Sequence, residues 1–197
     1  MFNGIIKNTG KINKIFKSKN NIRLLVSSNL KFKKRDIGSS ISCSGTCLTL
    51  EKYKKNLSMF YLSKETLNKT NFKNVKIGDV INIEKSLKYG NYISGHFVQG
   101  HIDTTCIVSK VKKLGKSWFI NFYLPKKYSK YVVAKGSITI NGVSLTVSKK
   151  LDSGFQIVVI PQTLKLTNLL NLKKKDIVNV EFDILAKYTS NFFKGKI

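Results

Sequence analysis

The stretch Gly136 to Val147, GSITINGVSLTV, is written almost a second time at Ser40 to Leu50, SISCSGTCLTL. The two align without a gap: Gly45 falls on Gly142, Leu48 on Leu145 and Thr49 on Thr146, a shift of 97 residues (142 − 45). The offset holds far beyond the match. It places Thr66, Leu67, Thr70 and Asn71 on Thr163, Leu164, Thr167 and Asn168, and Asp79, Asn82 and Glu84 on Asp176, Asn179 and Glu181. At the front the shift is 96, with Gly4 on Gly100, Ile6 on Ile102 and Thr9 on Thr105. A period this long, present twice, does not suit a solenoid, which needs three or more shorter units. The chain reads as one domain written twice, with expected divisions at 1–96, 97–183 and a terminal segment 184–197.

Each copy reads as short strands. Ile5 to Ile15 and Ile22 to Ser27 are apolar runs with strand character, and Lys31 to Gly38 is a polar loop with a helical turn. In Ser39 to Leu50 the residues Ile41, Cys43, Gly45, Cys47 and Thr49 share one strand face, and in the second copy that face presents Ile138, Ile140, Gly142, Ser144 and Thr146. The glycine in each run interrupts that face and marks a bulge, a hairpin, or a close approach of backbone to something flat. Leu57 to Leu62 and Phe155 to Ile160 are further strands. Each leads into a short helix, with Ser63 as cap in one copy and Pro161 near the first turn in the other. Lys76 to Asp79 turns into the strand Val80 to Glu84, and Lys175-Asp176 turns into Ile177 to Asp183. Many short strands joined by Gly, Asn and Asp turns argue for small closed antiparallel barrels, which leave no open edge. Tyr89 to Gly95 is the link between them. Beyond Asp183 the spacing of Ile184, Leu185, Tyr188 and Phe192 becomes helical, with Asp183 as cap and Gly195 near the end. The fold class is all-β: two six-stranded antiparallel barrels and a C-terminal α-helix.

The net charge of +26 invites a nucleic-acid reading, but Lys outnumbers Arg by 34 to 2 and is dispersed. Arg is the residue suited to bidentate phosphate and base recognition. The abundance of Lys, Asn, Ile, Phe and Tyr is what A- and T-rich codons produce, so charge here describes solubility rather than a nucleic-acid partner. Three cysteines, Cys43, Cys47 and Cys106, fit a reduced cytoplasmic setting. With so few ligands no metal site is expected, and no run approaches the ~18 apolar residues of a spanning helix.

Five strings then act together: MFNGI at the start, SGHFVQGH at Ser94 to His101, GSITINGVSLTV, IPQTLKLTNL at Ile160 to Leu169, and DILAKY at Asp183 to Tyr188. In this order and at these separations the chain resembles the riboflavin synthases of the alpha-chain type, which carry two lumazine-binding repeats. The resemblance implies a four-carbon transfer between two molecules of 6,7-dimethyl-8-ribityllumazine, giving riboflavin and 5-amino-6-ribitylaminouracil without a cofactor. It implies a homotrimer joined by the C-terminal helix, with the site between barrels of neighbouring chains, and an association with lumazine synthase.

The resemblance also carries residues onto this sequence. Gly4, Ile5, Ile6, Ser144, Leu145, Thr146, Val158, Val159, Ile160, Pro161, Gln162 and Thr163 are expected to line one substrate site. Cys47, Leu48, Thr49, Tyr61, Leu62, Ser63, Lys64, Glu65, Thr66, Gly100, His101 and Ile102 are expected to line the other, with Lys135 reaching in from a neighbouring subunit. His101 is the expected acid/base residue, since imidazole titrates near neutrality. Ser144, Thr146, Cys47 and Asp183 are the candidates for positioning water or moving protons, and His96 reads as structural. Cys47 is equally well read as a small packing residue. The chain departs from the family at Ser44, Thr46, Asn3 and Gln162, which bears on substrate contacts.

Overall fold

The computed structural model describes residues 1–194, and Gly195 lies outside them. Six strands form the first barrel: β1 Asn8–Lys17, β2 Asn21–Ser28, β3 Ser40–Cys43, β4 Thr46–Lys54, β5 Leu57–Ser63 and β6 Val80–Lys85. Six more form the second: β7 Thr104–Leu114, β8 Ser117–Tyr123, β9 Ser137–Ile140, β10 Val143–Leu151, β11 Gly154–Val159 and β12 Ile177–Phe182. Both sheets close in the same order, β1-β2-β5-β4-β3-β6 and its equivalent, with every pair antiparallel. Bulges recur at matching places, Ile12/Lys14 with Val108/Lys110 and Leu50/Lys52 with Val147/Lys149. A bulge adds twist and bends its strand, which a short sheet needs in order to close on itself.

Each barrel is filled by its own inward side chains, among them Leu24, Leu50, Phe60 and Leu62 in the first and Ile120, Phe122, Phe155 and Ile157 in the second. Each such side chain contributes about 1.5–3 kcal/mol through burial. Ile6 is an exception to the division by sequence. It lies before β1 yet packs in the core of the second barrel.

The repeat stretch is a hairpin in both copies. Ile41 faces Leu48 and Ser42 faces Cys47 across a two-residue turn at Ser44-Gly45, and Ile138 faces Leu145 and Thr139 faces Ser144 in the second copy. The shared face expected for one continuous strand is therefore corrected. Partners across a hairpin point the same way, so Ile41, Cys43, Thr46 and Leu48 lie on one side and Ser42 and Cys47 on the other. The turn residues Ser44 and Asn141 have φ of 43° and 46°, followed by glycines at 82° and 80°. This is the all-positive geometry that favours two-residue hairpins.

The helices α1 Lys64–Lys69 and α2 Pro161–Leu166 start as expected, with the Ser63 hydroxyl accepting the Thr66 N–H at 3.1 Å and Pro161 in the first turn. A helical turn occupies Lys34–Asp36 in the polar loop. No regular element occupies 89–95. The third helix, α3 Ile184–Lys194, is capped by Asp183, whose carboxylate accepts the Leu185 N–H at 2.9 Å. Leu185, Tyr188 and Phe192 are exposed along it.

The barrels meet on a pseudo-two-fold axis. At its centre Gly45 and Gly142 pack backbone to backbone, where a Cβ on either would lie 2.7 or 2.6 Å from the other's nitrogen. Two buried asparagines flank this contact with four hydrogen bonds. Asn82 donates to Asn141 O at 2.8 Å and accepts from Asn168 N–H at 2.7 Å. Its repeat partner Asn179 donates to Ser44 O at 2.9 Å and accepts from Asn71 N–H at 2.7 Å. Buried amides with every group satisfied fix one relative placement of the barrels, because any slip would strand donors away from water.

Candidate active site

Two backbone straps cross the axis. Phe2 and Val98 pair with each other, their amides bonding reciprocally at 2.7 and 3.2 Å. Each strap then runs onto the hairpin of a barrel. The Ser144 N–H donates to Gly4 O, and the Cys47 N–H donates to Gly100 O, both at 2.8 Å. The straps approach so closely that only glycine fits. Gly4 has φ +71° and an added Cβ would lie 2.7 Å from Ser144, while Gly100 has φ +82° and its Cβ would lie 2.6 Å from Cys47. One local site is thus built twice, with Gly4 against Ser144 on the second barrel and Gly100 against Cys47 on the first.

Around Ser144 the polar groups converge. The ring of His96 lies between two hydroxyls, Nδ1 at 2.7 Å from Ser144 Oγ and Nε2 at 3.0 Å from Thr139 Oγ1. Burial holds the imidazole pKa below its usual value, against the opposing pull of Asp183. The ring is therefore biased to its neutral form, the form that can accept a proton. Asn3 binds the same region through its amide, donating to Tyr92 O at 3.2 Å and accepting the Gly95 N–H at 2.7 Å. This departure from the family pattern ties the link between the barrels to the strap.

The other site differs. Ser42, facing Cys47, has a buried hydroxyl without a hydrogen-bond partner among the described residues, where the equivalent Thr139 meets His96. On the outer face Tyr61 lies against the guanidinium of Arg23, 5.4 Å from its ring centre, and Arg23 pairs with Glu51 at 2.9 Å. Val158 occupies the place of Tyr61 in the second barrel. Cys47 is half-buried, whereas burial pushes the Cys43 thiol up and the Cys106 thiol up to about 12.

The expected residues separate into groups. Ser144, Thr146, Thr49 and Tyr61 lie on the outer faces of their strands, while Leu48, Leu62 and Val159 point into the barrel cores and offer only backbone to a ligand. Ile5, His101, Ile160, Pro161 and Gln162 are exposed beside the straps or at the helix starts, and Ser63 and Thr66 are half-buried at the start of α1, with Lys64 and Glu65 exposed. Lys135 is exposed in the turn before β9, its N–H donating to Val147 O at 2.8 Å. Asp183 lines an apolar cleft of about 560 Å³ between α3 and the second barrel, together with Tyr131, Val133, Ser137 and Leu185. The chain alone does not bring His101 and Asp183 together with Ser144 in hydrogen-bond contact. The His96 contact is not visible in the sequence, since only the pairing of β9 with β10 sets Thr139 opposite Ser144.

The lumazine binding domain pattern matches residues 3–86 and 99–183, one match per barrel. The riboflavin synthase of Photobacterium leiognathi is 35% identical over 98% of this chain and 89% of its own length. That of Actinobacillus pleuropneumoniae is 34% identical over 100% and 91%. The chain belongs to the riboflavin synthase family. Among solved structures, LumP complexed with 6,7-dimethyl-8-(1'-D-ribityl) lumazine superposes with a TM-score of 0.80 at 25% identity, covering 92% of this chain and 98% of that one. No metal-binding cluster of His, Cys, Asp or Glu occurs among the described residues, and no helix among them is long and apolar enough to cross a membrane.

Proposed function

We propose that the chain catalyses the dismutation of two 6,7-dimethyl-8-ribityllumazine molecules to riboflavin and 5-amino-6-ribitylaminouracil, a transferase reaction. The observation that carries this reading is the duplicated strap-and-hairpin site, because a reaction between two copies of one compound needs two similar seats. The atoms of the two reactants equal those of the two products, so no oxidant or reductant enters. Seating both reactants face to face removes the cost of their encounter, an effect of roughly 7–11 kcal/mol at best.

The chemistry needs a proton removed from the C7 methyl of one molecule and a nucleophile added at C7 of the other. His96 held neutral beside Ser144 suits proton transfer in the second-barrel seat. In this reading His101, Cys47, Thr146 and Asp183 act across a subunit boundary, with Lys135 reaching toward the neighbour's ligand. The exposed apolar stripe Leu185, Tyr188 and Phe192 and the cleft beside it support a homotrimer joined through α3. A cytoplasmic location and an association with lumazine synthase belong to the same proposal.

The test is incubation of the purified protein with the lumazine while riboflavin fluorescence is followed. Riboflavin and the uracil product should form in equal amounts. Tight binding without turnover would instead establish a ligand-carrying protein on the same duplicated barrel.

A further inference from the structure

Two carboxylates, half-buried Glu84 and buried Glu181, take no part in the steps above, and both face the straps. Glu84, on β6, accepts the backbone N–H of Asn3 at 2.9 Å through one oxygen and that of Gly4 at 3.1 Å through the other. Glu181, on β12, does the same for Gln99 at 2.6 Å and Gly100 at 2.9 Å. The two occupy one position of the repeat (181 − 84 = 97). Their connections are crossed. The carboxylate of the first barrel holds the strap that meets Ser144 of the second, and the carboxylate of the second holds the strap that meets Cys47 of the first.

A buried carboxylate is an expensive way to close a gap, because an apolar side chain would do so without losing hydration. Burial pushes both carboxyls up to about 7, against the pull of the strap amides. What a carboxylate offers here is two acceptor oxygens for two parallel N–H groups, which fixes the orientation of a strap as well as its distance.

We propose that Glu84 and Glu181 are positioning residues for the reaction, each setting the strap of the seat carried by the opposite barrel. The identity of the ligand rests on the dismutase reading, but the crossed wiring makes a prediction of its own: damage to one carboxylate should disable the seat of the other barrel. A general role in stability would affect both seats alike.

The test uses the full-length protein with riboflavin as probe. Cys47 is half-buried in the first seat while Cys43 and Cys106 are buried, so alkylation of Cys47 by iodoacetamide reports on that seat. The variants are Glu84→Gln and Glu181→Gln. Glutamine keeps the size but offers one acceptor, and its NH₂ confronts the second strap N–H. In E181Q the riboflavin concentration that protects Cys47 should rise at least tenfold, and one class of sites should remain by calorimetry. In E84Q protection of Cys47 should be unchanged, and the other class should be lost. Equal losses at both seats in either variant, or no loss in both, would overturn the assignment. If a variant does not fold, hydrogen exchange of the wild type decides. The Gly4 and Gly100 amides should be protected and slowed further by riboflavin, and open-chain exchange there would overturn the proposal. A wild type that binds riboflavin at both seats but forms none from the lumazine refutes the dismutase reading and leaves the crossed wiring to be judged by the variants.

Discussion

Gly142→Ala tests how the barrels are held together. The new methyl would lie 2.6 Å from Gly45 N and 3.0 Å from Gly45 Cα, where ordinary contact begins at 3.4 Å. Its nearest neighbours are backbone atoms with no flexible end to swing aside, so the barrels have to part. The φ of +80° adds the left-handed penalty of about 1–2 kcal/mol for a residue with a side chain. Parting the barrels stretches the bonds from Asn82 to Asn141 O and from Asn179 to Ser44 O, now 2.8 and 2.9 Å. Weakening two buried hydrogen bonds costs about 1 kcal/mol each. The sum is about 3–4 kcal/mol, which corresponds to a fall in Tm of roughly 6–16 °C for a chain of this size. Gly38→Ala is the control. Its φ is +87°, but nothing lies within 4 Å, so it carries only the left-handed penalty. Thermal unfolding of both variants by circular dichroism, in one buffer, isolates the contact. Equal Tm values for the two would refute the reasoning.

Three further outcomes are expected. Glu84 and Glu181 have folded-state pKa values of about 7, above the 4.5 of an exposed glutamate. The folded protein therefore holds protons that the unfolded chain releases, and stability falls as pH rises from about 4.5 to about 7, by about 3 kcal/mol for each group. The Met1 amine acts on Glu84, and Lys187 and Asp103 act on Glu181. The wild type should lose urea resistance across this window relative to the Glu→Gln variants, and parallel curves would contradict it. His96→Gln keeps a hydrogen bond to Ser144 but cannot titrate, so kcat should fall at least tenfold while riboflavin affinity changes little; an unchanged kcat would remove the proposed proton transfer. Deleting Lys187 to Ile197 should reduce the assembly measured by light scattering, and an intact trimer would exclude α3 as its connector.

Much of this architecture was legible because duplication makes a sequence its own control. A single offset paired the two copies of the glycine-containing stretch, the helix starts and the strands that carry Glu84 and Glu181. Period-two alternation alone misled at Ser39 to Leu50. It cannot tell a strand from a hairpin whose tight turn consumes two residues, and Ser44-Gly45 gave the turn away only through the glycine. The relations across the axis were not legible. Asn82 meeting Asn141 and Asn168, and Glu84 holding a strap that serves the other barrel, depend on contacts more than fifty residues apart in the chain. His96 reads as an ordinary histidine beside a glycine until β9 and β10 set Thr139 and Ser144 side by side. The +26 charge is spread along the sequence and carried by lysine far more than arginine.

In the proposed reaction two like seats bring two like molecules together. Single-turnover mixing of the protein with an equimolar blend of lumazine labelled with carbon-13 at both methyl groups and unlabelled lumazine tests it directly. The riboflavin formed should carry label in its xylene ring in the statistical mixture of two independently drawn lumazines, one donor and one acceptor, with one uracil product for each riboflavin. Riboflavin formed without an equivalent of the uracil product, or no riboflavin despite occupancy of both seats, would contradict it.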